Sequence, residues 1–157
     1  MTSKGLIDSF TKIARNDHLS NFYPSTIYLD GKKYSTVEHA YWAYSTLDIK
    51  IREDIRQCAK PGDARRLAKT IEKREDWSEF QIPHLRKILK MKFENPLLMP
   101  LLVQTGDAEL VFKNTWGDTL LGVCKGVGEN WLGRILMELR EQLPKKVKEE
   151  YIEFDSK

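Results

Sequence analysis

Apolar residues recur at helical spacing in several stretches of the chain, most clearly near its C-terminal end. Trp131, Leu132, Ile135, Leu136, Leu139 and Leu143 form a broad apolar stripe behind Asn130, whose short polar side chain suits the N-cap of a helix. The pattern predicts a helix at the centre of the core. Ile82, Leu85, Ile88, Leu89 and Phe93 mark another helix, opened by Asp76 as its cap. Pro83 lies within it and lacks the amide proton that an interior helical position needs, so a break is expected near Pro83. Ile51, Ile55 and Cys58 share one face of a helix over 49–59 that stops at Pro61-Gly62, and a shorter helix follows over 63–73. Asn95-Pro96 reads as a cap followed by proline at the first helical position, launching a helix over 97–104 that ends before Gly106.

Extended structure is sparser. Thr26-Ile27-Tyr28-Leu29 and Lys32-Lys33-Tyr34 flank Asp30-Gly31, a pair that supplies the positive φ angles of a tight hairpin turn. A short strand is expected over 109–112. Ser35-Thr36-Val37-Glu38 has the Ser-x-x-Glu form of a capping box, in which each side chain takes up an unpaired amide at the start of a helix; that helix is expected over 36–47. Many helices and few short strands, with no repeat and no flexible linker between them, predict an α+β fold: a compact, helix-rich single domain over 1–144. A polar tail over 145–157 follows, in which Lys145-Lys146-Val147-Lys148-Glu149-Glu150 changes sign as a solvated segment does.

Composition narrows the classes. The 157 residues are 41% hydrophobic and 31% charged, and the mean hydropathy is −0.51, which excludes disorder along the whole chain. No apolar run approaches the roughly 18 residues of a membrane span, and the greasiest stretch, 97–103, contains Pro100. Lys4, Asp8, Lys12 and Arg15 interrupt the first fifteen residues, against the unbroken apolar core of a secretory signal. The expectation is a cytoplasmic protein without a membrane partner. Cys58 and Cys124 form no CxxC pair, and His18, His39 and His84 lack metal-ligand spacing, so no metal cofactor is expected. A net charge of +3 is compatible with a phosphate-bearing ligand and too small to argue for nucleic acid.

Four features can carry chemistry. Gly122, Gly126 and Gly128 precede Asn130, so backbone amides can approach a phosphate at a helix start, unless the glycines simply form a turn. Glu38 and Asp118 lie beside Tyr41, Trp42 and Trp116, whose apolar walls can tune a catalytic carboxylate; the plain alternatives are the capping box for Glu38 and a turn after Gly117 for Asp118. Trp77 can stack on a nucleobase, an interaction of roughly 1–3 kcal/mol, or anchor the core. His39, next to Glu38, can shuttle a proton or serve the fold.

Taken in order, these segments resemble the NADAR family, which includes the YbiA-type N-glycosidases, from about residue 19 to 143. The resemblance is carried by Leu19-Ser20-Asn21-Phe22-Tyr23-Pro24-Ser25, Val37-Glu38-His39-Ala40-Tyr41, Arg74-Glu75-Asp76-Trp77 and Lys92-Phe93. Leu101-Leu102, Thr105-Gly106-Asp107, Asn114-Thr115-Trp116-Gly117-Asp118 and the run from Gly128 through Trp131 to Met137 complete it. It implies a YbiA-like fold and a hydrolase cleaving an N-glycosidic bond in a ribosylated base or an ADP-ribose-linked compound. Phosphoribosylated flavin-pathway intermediates are the substrates of one branch and ADP-ribosylated guanine of another; nucleic-acid-linked ADP-ribose is thereby a further candidate. Glu38 becomes the main catalytic carboxylate, Asp118 a second that positions ribose or water, and Trp77 the stacking residue. Asn21, Phe22, Tyr23, His39, Trp116, Gly126, Gly128, Asn130 and Arg134 become substrate-binding candidates, and no cofactor is implied.

The resemblance also marks departures. Relatives carry Glu-His-x-x-Gln-x-x-Lys where this chain has Trp42 and Ser45 at the glutamine and lysine positions, and Trp-Gly where it has Leu121-Gly122. Ser45 has no amine with which to form an imine. The rival reading is a catalytically silent nucleotide or ADP-ribose-binding module. The enzymatic reading requires Glu38, Asp118 and Trp77 to line one solvent-reachable hollow.

Overall fold

The computed structural model describes residues 5–143, so the expected tail over 145–157 lies outside the described residues. In chain order the elements are β1 (Leu6–Ile7), a 3-10 turn (Asp17–Leu19), β2 (Ile27–Leu29), β3 (Lys32–Tyr34), α1 (Val37–Ala43), α2 (Ile49–Arg56) and α3 (Pro61–Lys69). They continue with α4 (Trp77–Glu94), α5 (Met99–Val103), β4 (Glu109–Leu110), β5 (Lys113–Asn114), β6 (Val123–Cys124) and α6 (Trp131–Gln142). The fold is α+β, rich in helix with a few short strands, as the patterning predicts. Two compact units are distinguished, one from Asn21 to Lys92, the other from the residues up to Ser20 together with those from Phe93 onward. Among the described residues no helix is long and apolar enough to cross a membrane.

In the 21–92 unit, β2 and β3 pair antiparallel with Ile27 opposite Tyr34 and Leu29 opposite Lys32. The turn between them holds Asp30 at φ 51° and Gly31 at φ 75°, the left-handed pair that matches the twist of a two-residue hairpin. The cap of α1 differs from the expected box. Thr36, not Ser35, caps the helix, its side-chain oxygen accepting from the His39 amide at 3.1 Å. Glu38 therefore falls one position too early to close a box with Thr36, and its own amide donates to the Asn21 carbonyl at 3.1 Å.

Helix α1 also ends at Ala43 rather than 47. The Ser45 hydroxyl donates to the Trp42 carbonyl at 2.6 Å, while Arg52 donates to the carbonyls of Ala43 at 3.3 Å and Thr46 at 2.8 Å. Side chains thus satisfy the acceptors that another helical turn would have used. Asp48 then caps α2, accepting from the amides of Lys50 and Ile51. Pro61 opens α3 as well as ending the stretch before it, since proline at the first helical position loses nothing.

The expected break at Pro83 does not occur: α4 runs through it. Pro83 is exposed, where water can solvate the carbonyl it leaves without a partner. Leu85, Ile88 and Leu89 are fully buried just beyond and hold the segment helical. The Asp76 carboxylate does not cap this helix; the Arg74 guanidinium donates to both of its oxygens, at 2.6 and 3.1 Å, and holds it below the usual carboxylate range.

Packed against α1 is a column of three rings with a guanidinium at each end. The Arg74 guanidinium lies 3.8 Å from the Phe80 ring centroid, Phe80 stacks on His84 at 4.9 Å, His84 meets Tyr44 at 4.9 Å, and the Arg52 guanidinium closes the far end 4.0 Å from the Tyr44 centroid. His84 Nε2 donates to the Ala40 carbonyl at 3.1 Å. Burial, helped by the positive charges of Lys87, Arg74 and Arg52, pushes the imidazole down from 6.5 to about 4. An unfolded histidine takes up its proton near 6.5, so between pH 6.5 and 4 the unfolded chain is protonated here and the folded one is not. Stability is expected to fall by about 2 kcal/mol between pH 7 and 5 from this group. Urea midpoints across that range check it: His84→Gln should flatten the slope relative to the parent.

In the other unit, β1 pairs parallel with β4, Ile7 opposite Leu110, and β5 pairs parallel with β6, Asn114 opposite Cys124. Asn95 Oδ1 accepts from the Leu97 amide at 2.8 Å as expected of a cap, though only 99–103 become α-helix. The stripe on α6 is buried as predicted, with Leu132, Ile135 and Leu136 fully enclosed. Its N-terminal residue behaves differently. Asn130 sits in the left-handed region at φ 54° and makes no side-chain cap. Its Oδ1 instead accepts from the Phe112 amide at 2.8 Å and its Nδ2 donates to the Leu110 carbonyl at 2.9 Å, pinning the 110–112 segment to the start of α6.

Candidate active site

Glu38 lies in the first turn of α1 and is only 6% exposed. Four residues on, one helical turn away, the Trp42 indole donates its N–H to Glu38 Oε1 at 2.8 Å. Trp42 in turn faces Trp77, with ring centroids 6.1 Å apart, and Tyr41 packs edge-on to Trp42 at 4.9 Å and against Trp77 at 5.1 Å. The Tyr41 hydroxyl is anchored by donation to Gln81 Oε1 at 2.9 Å. Two of the predicted site residues, Glu38 and Trp77, are therefore brought together, joined by Trp42, which the sequence reading gave as an apolar wall beside Glu38 and as a departure from the family pattern. A carboxylate shielded from water and held by an indole N–H acts strongly on a neighbouring positive charge, because little solvent screens it.

Asn21 adds an acceptor beside it. It is buried, its backbone carbonyl holds the Glu38 amide, and its Oδ1 has no hydrogen-bond partner among the described residues. An unpaired buried carbonyl oxygen is costly unless something donates to it, and a substrate hydroxyl is a suitable donor. Tyr23 is half-buried, with the Lys92 ammonium 5.8 Å from its ring centroid. Lys92 is 1% exposed. Sequence reasoning named it only within Lys92-Phe93 of the resemblance and gave it no role, although a cation at i+4 from Ile88 on an otherwise apolar stripe was a visible signal. Phe22 lies further out, partly exposed, with the Arg65 guanidinium 5.5 Å from its ring centroid. His39 has no nitrogen to offer a ligand. Its Nδ1 meets the Thr36 hydroxyl at 2.8 Å and its Nε2 donates to the Cys58 carbonyl at 2.9 Å.

The remaining predicted residues belong to the other unit. Asp118 Oδ1 accepts from the amides of Leu120 at 3.1 Å and Leu121 at 2.9 Å, the geometry of an aspartate shaping its own turn. Asn114 brackets the same turn, accepting from the Asp118 amide at 3.0 Å and donating to its carbonyl at 2.8 Å. Trp116 is 54% exposed and packs edge-on against Phe112. At the helix start beyond the glycines the backbone amides already have protein acceptors. The amides of Glu129, Asn130, Trp131 and Leu132 donate to the carbonyls of Thr119, Gly122, Leu120 and Leu121, so the start of α6 is closed by protein. Gly122 and Gly128 serve close packing: a Cβ on either would lie 2.1 Å from a backbone carbonyl oxygen, that of Phe112 or that of Gly122. Gly126 instead occupies an open turn at φ 78° between Cys124 and Val127, which exchange backbone hydrogen bonds. Arg134 is exposed and lies 3.7 Å above the Trp131 ring.

The NADAR domain model matches residues 9–144. The chain belongs to the NADAR family. It is 41% identical over 128 residues to the N-glycosidase YbiA of Escherichia coli K12, covering 79% of each chain. An N-glycosidase of Nostoc punctiforme is 32% identical over 131 residues, with 79% of this chain and 83% of that protein covered. A riboflavin biosynthesis protein of Vibrio vulnificus is 35% identical over 132 residues, 80% of this chain but 35% of that longer protein. The NMR structure of E. coli YbiA superposes with a TM-score of 0.78 at 35% identity, covering 90% of this chain and 86% of that one.

Within this NADAR chain the departures now have places. Ser45, at the lysine position of the family pattern, is fully buried and donates its hydroxyl to the Trp42 carbonyl. It closes α1 and offers no nucleophile. Trp42, at the glutamine position, is the indole that holds Glu38. Leu121 is buried, its amide on Asp118 and its carbonyl accepting from Leu132.

Proposed function

We propose that this NADAR chain is a hydrolase that cleaves the N-glycosidic bond of a ribosylated base or an ADP-ribose-linked compound. The observation that carries this reading is the near-burial of the Glu38 carboxylate, held by the Trp42 indole, which itself faces Trp77. As the C–N bond lengthens, positive charge develops on the ribose ring, and a carboxylate in a poorly screened setting lowers the energy of that state. Water then bonds to the anomeric carbon, its proton leaving for the departing base, so that the products are the free base and a ribose bearing a new hydroxyl. Trp77 grips the base by stacking, and Asn21 Oδ1 accepts a ribose hydroxyl. The names of the relatives, N-glycosidase and riboflavin biosynthesis protein, favour a ribosylated flavin-pathway intermediate as the substrate class, and ADP-ribosylated guanine is the alternative that the family resemblance implies. In the other unit, with the amides at the start of α6 taken, the group of the 126–134 segment suited to a phosphate is the Arg134 guanidinium.

A second reading, a silent binding module, is favoured by Ser45. Incubating the protein with ADP-ribosylated guanosine, NAD and ribosylated pyrimidine intermediates, with mass spectrometry of the products, separates the two. The enzyme is expected to release free base from at least one of them. Thermal stabilisation by a compound that is never consumed would instead establish the module.

A further inference from the structure

We propose that the 21–92 unit carries a second binding site, on the side of α1 turned away from Glu38, for a phosphorylated small molecule held through its phosphate by Arg52, Arg74 and Lys87. A cavity of about 480 Å³ opens there, lined among others by Asp30, Tyr44, His84 and these three cations. At 100° per residue, Ala40 and Tyr44 lie about 160° and 120° round the helix from Glu38, so the cavity does not share the Glu38 face. Every lining residue falls between Leu29 and Lys87, within one compact unit.

The charge balance of the lining selects an anion. Arg52 donates only to the carbonyls of Ala43 and Thr46 and, like the exposed Lys87, makes no ion pair among the described residues. Arg74 pairs with Asp76, which lies outside the lining. Asp30 is the one acid of the lining, and the Tyr44 hydroxyl donates to it. A guanidinium and an ammonium without carboxylate partners, facing one cavity, are a ready pair of donors for phosphate oxygens.

The rings argue against a nucleobase as the recognised part. Phe80, His84 and Tyr44 each already have two neighbours in the column, one another or the Arg74 and Arg52 guanidiniums. The cavity is larger than a bare phosphate ion, leaving space for an attached sugar.

The test uses the whole chain with ribose 5-phosphate and inorganic phosphate as separate probes, followed by calorimetry and by the ring resonances of His84. Ribose 5-phosphate is expected to bind, to shift the His84 resonances and to raise the pH at which they titrate, because a bound anion favours the imidazolium. Lys87→Gln should weaken that binding at least about tenfold, with Glu38→Gln leaving it unchanged. Equal affinity for inorganic phosphate would identify the free ion as the ligand of the site, and weaker affinity the phosphorylated sugar. Arg52→Gln repeats the loss if the variant folds; Lys87, being exposed and unpaired, keeps the test sound if it does not. Unmoved His84 resonances, or an affinity untouched by Lys87→Gln, would overturn the proposal.

Discussion

Glu38→Gln is expected to lower the rate of base release by at least about 100-fold with little change in thermal stability. Glutamine has the shape of glutamate and keeps an oxygen to accept the Trp42 indole N–H, so the packing of α1 against Trp77 survives. What it lacks is the full negative charge, which is the part that opposes the positive charge of the departing ribosyl group. Substrate affinity should change less than turnover, since an interaction made chiefly in the transition state lowers kcat rather than raising KM. Trp77→Ala gives the complementary pattern, a raised KM of about tenfold or more, because stacking grips the base before and during cleavage. Steady-state kinetics on whichever compound is cleaved, with circular dichroism to confirm folding, separates the two. A Glu38→Gln protein that folds and turns over at the parent rate would remove the carboxylate from the mechanism.

Why Glu38 is available for this at all was not legible from its motif. Ser35 and Thr36 are neighbouring hydroxyl residues, either able to cap, and the Ser-x-x-Glu spacing favoured the first. The structure uses Thr36, because the Thr36 side chain reaches the amide and the ring of His39 together. With that one-residue shift Glu38 is not the closing residue of a capping box, and its carboxylate accepts the Trp42 indole N–H instead.

Local patterns were legible where the forces are local. The Asp30-Gly31 turn needs only its own backbone angles, and the α6 stripe needs only a core to face. Pro83 and Asn130 were misread because their outcomes depend on distant partners. Helix α4 survives its proline through apolar residues buried further along. Asn130 gives up capping since its amide group bridges Leu110 and Phe112, some twenty residues earlier. The pairing of Trp42 with Glu38 was visible as i,i+4 spacing, but spacing alone does not reveal that an indole N–H will point at a carboxylate.

The same dependence on distant backbone makes Gly133→Ala the most damaging small change expected outside the catalytic groups. In an open helical site, replacing glycine by alanine stabilises by about 1 kcal/mol, because alanine loses less backbone freedom on folding. At position 133 a Cβ would lie 2.0 Å from the Leu110 carbonyl oxygen and within 2.6 Å of both polar atoms of the Asn130 side chain. The obstacle is backbone, and the backbone group is the one that accepts the Asn130 amide, so relief requires moving α6 off β4 and breaking the bridge that fixes the start of the helix. A loss of about 3 kcal/mol or more is expected, reversing the ordinary sign. Gly62→Ala on α3 is the internal control, since a Cβ there meets only ordinary contacts, the nearest at 3.6 Å from the Arg66 guanidinium. Urea midpoints should show Gly62→Ala at or slightly above the parent and Gly133→Ala far below it. Parent-like stability in Gly133→Ala would mean that α6 does not approach Leu110 this closely, and the seating of Asn130, Trp131 and Arg134 would have to be redrawn with it.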